Sequence, residues 1–173
     1  MASPKVTIRP ARSSSDLAAI SKLFTAYAAS LGIDLTFQDF SSELAGIPGK
    51  YAPERGGELL LATRPASEDG KEREVIGCIA LRALPGASSS ELQPTAELKR
   101  LYTTPSARGL GAGRALILAA LEAARTLGYE RVKLDTLPSM HAAISLYESM
   151  GFKDVERYYE TPLEGTRFLG RDL

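Results

Sequence analysis

Glu97 to Gly113 reads E-L-K-R-L-Y-T-T-P-S-A-R-G-L-G-A-G: a strand, a short turn and a glycine-rich lead into a helix. From 97 to 103, Leu98, Arg100 and Tyr102 fall on one side, and Glu97, Lys99, Leu101 and Thr103 on the other. That period of two predicts a half-buried strand. Pro105 ends it, having no N–H to give to a ladder. Gly109, Gly111 and Gly113 follow at alternate positions, and a helix is expected over 114–127. Glycines let the chain turn tightly and leave amides uncovered at a helix N-terminus. Free amides and the helix dipole together favour an anion such as a phosphate, and Arg108 and Arg114 add positive charge on either side.

Three readings compete for this loop. Incidental glycines in a tight turn are the plainest. A P-loop is excluded, because no Lys-Ser or Lys-Thr follows. A dinucleotide fingerprint needs a third glycine where Arg114 stands. In favour of that reading, the strand over 131–135 ends on Asp135, which resembles a ribose-binding carboxylate. Against it, Glu97, Lys99 and Arg100 occupy a strand that should be an apolar run. Only 38 residues remain after Asp135, too few to finish a doubly wound sheet. It stays as the runner-up.

The spacing of Arg108, Gly111 and Gly113 is similar to the acyl-CoA pyrophosphate motif of the GNAT superfamily of N-acetyltransferases. Downstream, A-I-S-L-Y-E-S-M-G-F at 143–152 resembles that family's A-x-x-L-Y-x-x-x-G-F, in the family's order. One departure is Met140, where the family often has Asn three residues before the alanine. The resemblance implies one α/β domain with the acyl-CoA N-acyltransferase fold, a mixed and mainly antiparallel sheet flanked by helices. It implies acetyl-CoA (coenzyme A) as cofactor, held by Arg108, Gly109, Leu110, Gly111, Ala112, Gly113 and Arg114. The backbone of Leu101, Tyr102 and Thr103 would pair with pantetheine like an added strand, and Met140 and Ala143 would border it. The acceptor would be a small-molecule or peptide amine, with Phe37, Phe40, Tyr51 and Arg55 as candidate contacts. The alternative for these four is core aromatics and a solvated arginine. Dimers are common in the family, so a homodimer is also implied.

Acyl transfer to an amine asks for a base, an acid for the departing thiolate and a donor for the oxyanion. Glu97 lies 11 residues before Arg108, where several family members carry a glutamate base. A solvated carboxylate, or an ion pair with Lys99 or Arg100, is the other role open to it. Tyr147 falls on the family's tyrosine acid, and an unperturbed phenol pKa near ~10 suits a thiolate. Packing beside Phe152 is its alternative. The Leu101 amide is the oxyanion donor by resemblance. His141, six positions from Tyr147, points off another face of the helix and is expected at the surface. No metal site is expected. A non-catalytic acyl-CoA-binding sensor is the alternative to an enzyme.

Composition sets outer bounds. The chain of 173 residues can bury a core, and 44% hydrophobic with 24% charged residues is ordinary for a globular protein. Lys plus Arg and Asp plus Glu each number 21, so nothing points to nucleic acid or an anionic membrane as partner. Cys78, alone in the apolar run 75–81, reads as a small buried residue. The N-terminus lacks an apolar signal core, and the longest apolar run, 115–121, is too short to span a bilayer, so a cytoplasmic location is expected.

Elsewhere, a strand is expected over 6–9, then a helix over 16–31 with Ser15 as cap and Gly32 as stop. Leu17, Ile20, Phe24, Tyr27 and Leu31 form its stripe. A helix over 37–45 follows, capped by Thr36, and then an unassigned loop over 46–57. Strands over 58–63 and 74–82 flank an Asp69-Gly70 turn, and a surface connection runs over 85–94. After the central helix come the strand over 131–135, a helix over 140–150 and a closing strand pair over 155–160 and 166–172.

Overall fold

The computed structural model describes residues 6–36, 39–67, 69–84 and 93–173. In chain order the elements are β1 (Thr7–Pro10), α1 (Ser14–Leu31), α2 (Phe40–Ala45), β2 (Glu58–Pro65), β3 (Arg73–Ala83) and β4 (Thr95–Thr103). Then come α3 (Ala112–Thr126), β5 (Arg131–Thr136), α4 (His141–Ser149), β6 (Lys153–Asp154) and β7 (Arg167–Asp172). The strands form one sheet in the order β1-β2-β3-β4-β5-β7-β6. All neighbours are antiparallel except β4 and β5. This is the expected mixed, mainly antiparallel sheet. None of the described helices is long and apolar enough to cross a membrane.

Each face of the sheet has its own core. On one, Leu116, Ile117 and Leu121 of α3 and Tyr147 of α4 pack on Ile76, Leu81, Leu98, Val132 and Leu134. On the other, Ile20, Leu23 and Phe24 of α1 pack with Tyr51 on Leu59, Leu61, Cys78 and Ala80. With helices on both sides, the first half of β4 is buried throughout: Thr95, Ala96, Glu97, Leu98 and Arg100 are all shielded. That corrects the half-buried strand read from alternation.

The alternation itself breaks inside β4. Lys99 lies opposite Ala80, and Tyr102 opposite Cys78, so two residues of β4 face the single residue Ile79. This is a β-bulge, and Arg100 within it has φ 59, a left-handed conformation uncommon for a non-glycine residue. In consequence Leu98 and Leu101 join the α3 core and Tyr102 the α1 core. Lys99 and Arg100, although consecutive, both turn their side chains to the α1 face, where their partners lie.

Other differences have local causes. The cap of α1 is Ser13, not Ser15, because Asp16 stands three residues after Ser13 and completes a capping box. α2 begins only at Phe40, after Asp39 in a left-handed conformation. Phe37 lies outside the described residues, as do 85–92 of the surface connection. The loop over 46–57 holds two 3-10 turns, Gly49–Tyr51 and Pro53–Arg55. The strand expected over 155–160 does not form. Tyr158 and Tyr159 both pack against Phe168, with ring centroids 5.1 and 5.3 Å away, whereas a strand would send them to opposite faces. The closing pair is instead β6 and β7.

Asp16 ties the first turn of α1 to β1. Its carboxylate accepts two hydrogen bonds from Arg9, at 2.9 and 2.7 Å, and one each from the Arg12 and Ser13 amides. The Arg9 hydrogen bond first, then those amides, hold its pKa well below the usual carboxylate range. A depressed folded pKa stabilises above the unfolded value near ~3.9 and loses that contribution as pH falls below it. Asp16→Ala is therefore expected to cost about 1–2 kcal/mol at pH 7. The gap from wild type in urea denaturation should narrow at pH 3; an equal gap at both pH values would contradict this account.

Candidate active site

Parallel pairing of β4 with β5 covers only Thr95↔Arg131, Ala96↔Val132 and Glu97↔Lys133. Beyond these the strands part. β4 continues on β3 alone and β5 on β7 alone, which leaves an open edge inside the sheet. Successive residues of an antiparallel strand present their N–H groups to alternate edges. The Thr104 amide donates to the Ile76 carbonyl on the β3 side at 2.9 Å, so the Thr103 and Leu101 amides turn toward the gap.

A cavity of about 30 Å³, room for one water, sits at this parting. Its walls are Leu98, Lys99, Arg100 and Leu101 of β4, Asp135 and Thr136 of β5, Tyr27 of α1, Met140, and Tyr147 of α4. Tyr147 is buried, with its ring edge-on to Phe152 at 5.6 Å. Burial first, then the fields of Tyr27 and Asp135, push its phenol well above the ordinary value, so it stays protonated at neutral pH. Met140 occupies the turn before α4, where its sulfur accepts a weak contact from the Thr136 hydroxyl at 3.8 Å.

Two ionic clusters stand on the α1 face. In the first, Glu97 is 1% exposed. It accepts from Arg82 Nε at 2.8 Å and from the Tyr158 hydroxyl at 2.7 Å. Lys99 Nζ lies 3.7 Å from Glu97 and 3.8 Å from Asp135. Asp135 in turn accepts from the Tyr159 hydroxyl at 2.9 Å. Burial alone would raise the Glu97 pKa, but the charges of Lys99 and Arg82 and the Tyr158 hydrogen bond outweigh it. The carboxyl lies below its ordinary value. The ion-pair partners of Glu97 are thus Lys99 and Arg82, while Arg100 is engaged elsewhere.

In the second cluster, Arg100 Nε donates to Glu43 at 2.9 Å, and the guanidinium lies beside the Tyr27 and Phe40 rings at 5.6 and 5.3 Å. Glu43 also accepts from the Tyr51 hydroxyl at 2.6 Å and pairs with Lys50 at 2.9 Å. Burial opposes ionisation, but Arg100, Tyr51 and Lys50 prevail and hold the carboxyl at about 2.

At the same end of the sheet, α3 starts with no side-chain cap on Gly111. Its first-turn amides, Ala112, Gly113 and Arg114, therefore have no intrahelical acceptor. Gly109 and Gly111 have φ 75 and 72, and a Cβ on either would meet nothing within 4 Å. Arg108, Gly109, Gly111 and Arg114 are exposed. The loop is an open cradle of N–H groups and positive charge, as an anion site requires.

The model of the acetyltransferase (GNAT) family matches residues 33–152. The chain belongs to that family. An uncharacterized N-acetyltransferase of Schizosaccharomyces pombe is 33% identical over 97% of this chain and 95% of its own length. An acetyltransferase from Streptococcus agalactiae superposes with a TM-score of 0.70 at 26% identity, over 97% of this chain and 98% of that one. A Salmonella typhimurium protein solved with its cofactor acetyl-CoA superposes at 0.65 and 20% identity, over 96% and 93%.

On this GNAT frame the sequence-derived residues divide. The gap and the cradle hold Leu101, Tyr147 and Met140 together with 108–114, and Ala143 packs partly buried in α4. Phe40 and Tyr51 are linked to the cavity only indirectly, through Arg100 and Glu43, and Tyr51 is a core residue 1% exposed. Arg55 is exposed and next to Gly56, whose carbonyl accepts from Tyr129 just ahead of β5, at the sheet end away from the gap. His141 is exposed in the first turn of α4. Sequence reasoning offered Lys99 only as an ion-pair partner of Glu97, which it is, missed Arg82, Tyr158 and Glu43, and weighed Asp135 only as a ribose ligand. The Tyr158-Tyr159 doublet was the one available signal, since a strand would not turn both to one side.

The buried Arg100–Glu43 pair yields a stability test. Glu43→Ala would leave a guanidinium in the interior without its carboxylate, at an expected cost of about 3–5 kcal/mol. Chemical denaturation measures this directly, and a loss under ~1 kcal/mol, the range of exposed pairs, would contradict the geometry.

Proposed function

We propose that this protein transfers an acetyl group from acetyl-CoA to a primary amine by direct attack of the amine on the thioester carbonyl. The observation that carries the reading is the meeting, in one cavity, of an open β4 edge and a buried, protonated Tyr147. The uncapped α3 amides with Arg108 and Arg114 suit the pyrophosphate of the acyl donor. The free edge at 101–103 suits its amide-bearing arm, by the same hydrogen bonds that would add a strand. That donor supplies an activated acetyl carbon and a thiolate leaving group.

Each remaining step falls to a residue of this chain. The Leu101 amide, turned to the gap, stabilises the oxyanion. Tyr147 gives its proton to the sulfur as the carbon–sulfur bond breaks. The proton of the attacking amine passes to the carboxylate pair Glu97 and Asp135. Glu97 takes it through the hydroxyl of Tyr158, which already donates to it, whereas Asp135 lines the cavity and can take it directly.

The test is release of free thiol from acetyl-CoA across a panel of amines, run on wild type, Tyr147→Phe, Glu97→Gln and Asp135→Asn. Tyr147→Phe is expected to lose roughly 10²–10⁴-fold in kcat with little change in KM for acetyl-CoA or in melting temperature. Near wild-type turnover sinks the acid role. Whichever carboxylate variant loses the acidic limb of the pH–rate profile is the base. If both keep it, the amine arrives already deprotonated. Coenzyme A binding with no thiol release for any amine would make the protein an acyl-CoA sensor.

A further inference from the structure

The bulge in β4 does more than open an edge. It sets two consecutive cations, Lys99 and Arg100, on the same wall of the cavity, facing Asp135 across the parting. Both cations have unused donors. Lys99 Nζ is farther than a hydrogen bond from both of its carboxylates, at 3.7 and 3.8 Å, although its side chain is only 9% exposed. Arg100 spends Nε on Glu43, and its Nη2 is buried with no hydrogen-bond partner among the described residues. An unpaired buried donor costs about 1–3 kcal/mol, and more when charged, and this one belongs to a residue that lines the cavity.

The charges agree. Among the described groups linked around the cavity, Lys50, Arg82, Lys99 and Arg100 outnumber Glu43, Glu97 and Asp135 by one. That local excess favours a carboxylate at Lys99 and Arg100, although a zwitterion as a whole adds no net charge. Asp135, on the opposite strand, supplies the complementary site for an ammonium.

We propose that the acceptor is an α-amino acid, its carboxylate received by Lys99 and Arg100 and its ammonium by Asp135. This rests on the acetyl-transfer reading above and deepens it. A carboxylate accepts from both cations through two oxygens, and charge-assisted hydrogen bonds of this kind are the strong ones. A cavity with room for one water takes only part of the zwitterion, so the rest of the amino acid, its side chain included, lies in the open gap between β4 and β5. Acetylation then converts a zwitterion into a neutral amide bearing a carboxylate. Two protons leave the ammonium nitrogen: one ends on the carboxylate base, and the other restores the phenol of Tyr147, whose own proton ends on the thiol.

The experiment compares three matched acceptors at saturating acetyl-CoA: an α-amino acid, its carboxamide and the decarboxylated amine. A fourth is a short peptide carrying that residue at its N-terminus. Wild type is expected to favour the free acid in kcat/KM by about 10-fold or more, the worth of one charge-assisted hydrogen bond. Lys99→Gln should collapse that preference chiefly through KM for the acid, with KM for acetyl-CoA little changed. Arg100→Gln should do the same where it folds, and Lys99→Gln keeps the test decisive where it does not. Equal use of acid and carboxamide, preference for the peptide, or an unchanged ratio in Lys99→Gln overturns the proposal. If no amine is acetylated, the transfer reading falls, and the proposal is read from melting temperature with coenzyme A present. Stabilisation by the amino acid that Lys99→Gln abolishes upholds it; no stabilisation overturns it.

Discussion

β4 and β5 run parallel for three residue pairs and then separate, and the rest of the site depends on that early parting. Two strands that stay paired leave no room between them, and two that never pair have no common frame. Here the pairing at 95–97 with 131–133 holds the strands in register, and the bulge at Arg100 bends β4 away just beyond it. An internal strand thus acquires a free edge, which sheets normally keep at their margins. Only the turn over 104–111 separates α3 from β4, so its uncapped N-terminus stands at the same end. α4 follows β5 and brings Tyr147 over the opening.

The bulge also decides the electrostatics. A regular strand would place Arg100 among Leu116, Ile117 and the other apolar side chains of the α3 core. The extra residue sends it to Glu43 instead and lines it up beside Lys99. Two clusters result, Arg100 with Glu43 and Arg82 with Glu97, and each carboxylate is held ionised against its burial. Charges so placed cannot reorganise cheaply, which is what a site for a transient charge requires. Removing either carboxylate would therefore disturb fold and chemistry together, whereas Tyr147 and Lys99 can be altered with smaller structural consequence.

Much of this was legible in the sequence, and the failures share a cause. The glycine cradle and the 143–152 motif are local patterns, and the structure places both at one end of the sheet. Apolar periodicity gave α1 its buried residues Ile20 and Phe24. What the sequence hid is non-local. No glycine marks the bulge, so alternation sent Lys99 and Arg100 to opposite faces. The capping partner of Ser13 and the distant partners of Glu97, Arg82 and Tyr158, lie in segments that read as ordinary helix, strand and loop. Glu43 sits in a short helix whose only distinction is the arginine it meets 57 residues later. Ion pairs across such separations leave no periodic trace.

Amide hydrogen exchange with and without coenzyme A tests the central claim most directly, because it reads the open edge itself. The account has the Leu101 and Thr103 amides facing the gap without a partner from β5, and those of 112–114 uncapped at the start of α3. Coenzyme A should slow exchange at both groups together, while the amides of β2 and β3, already paired, stay as they are. Protection confined to α3, or appearing elsewhere with Leu101 and Thr103 unchanged, would contradict the claim that the parting of β4 from β5 is the binding groove.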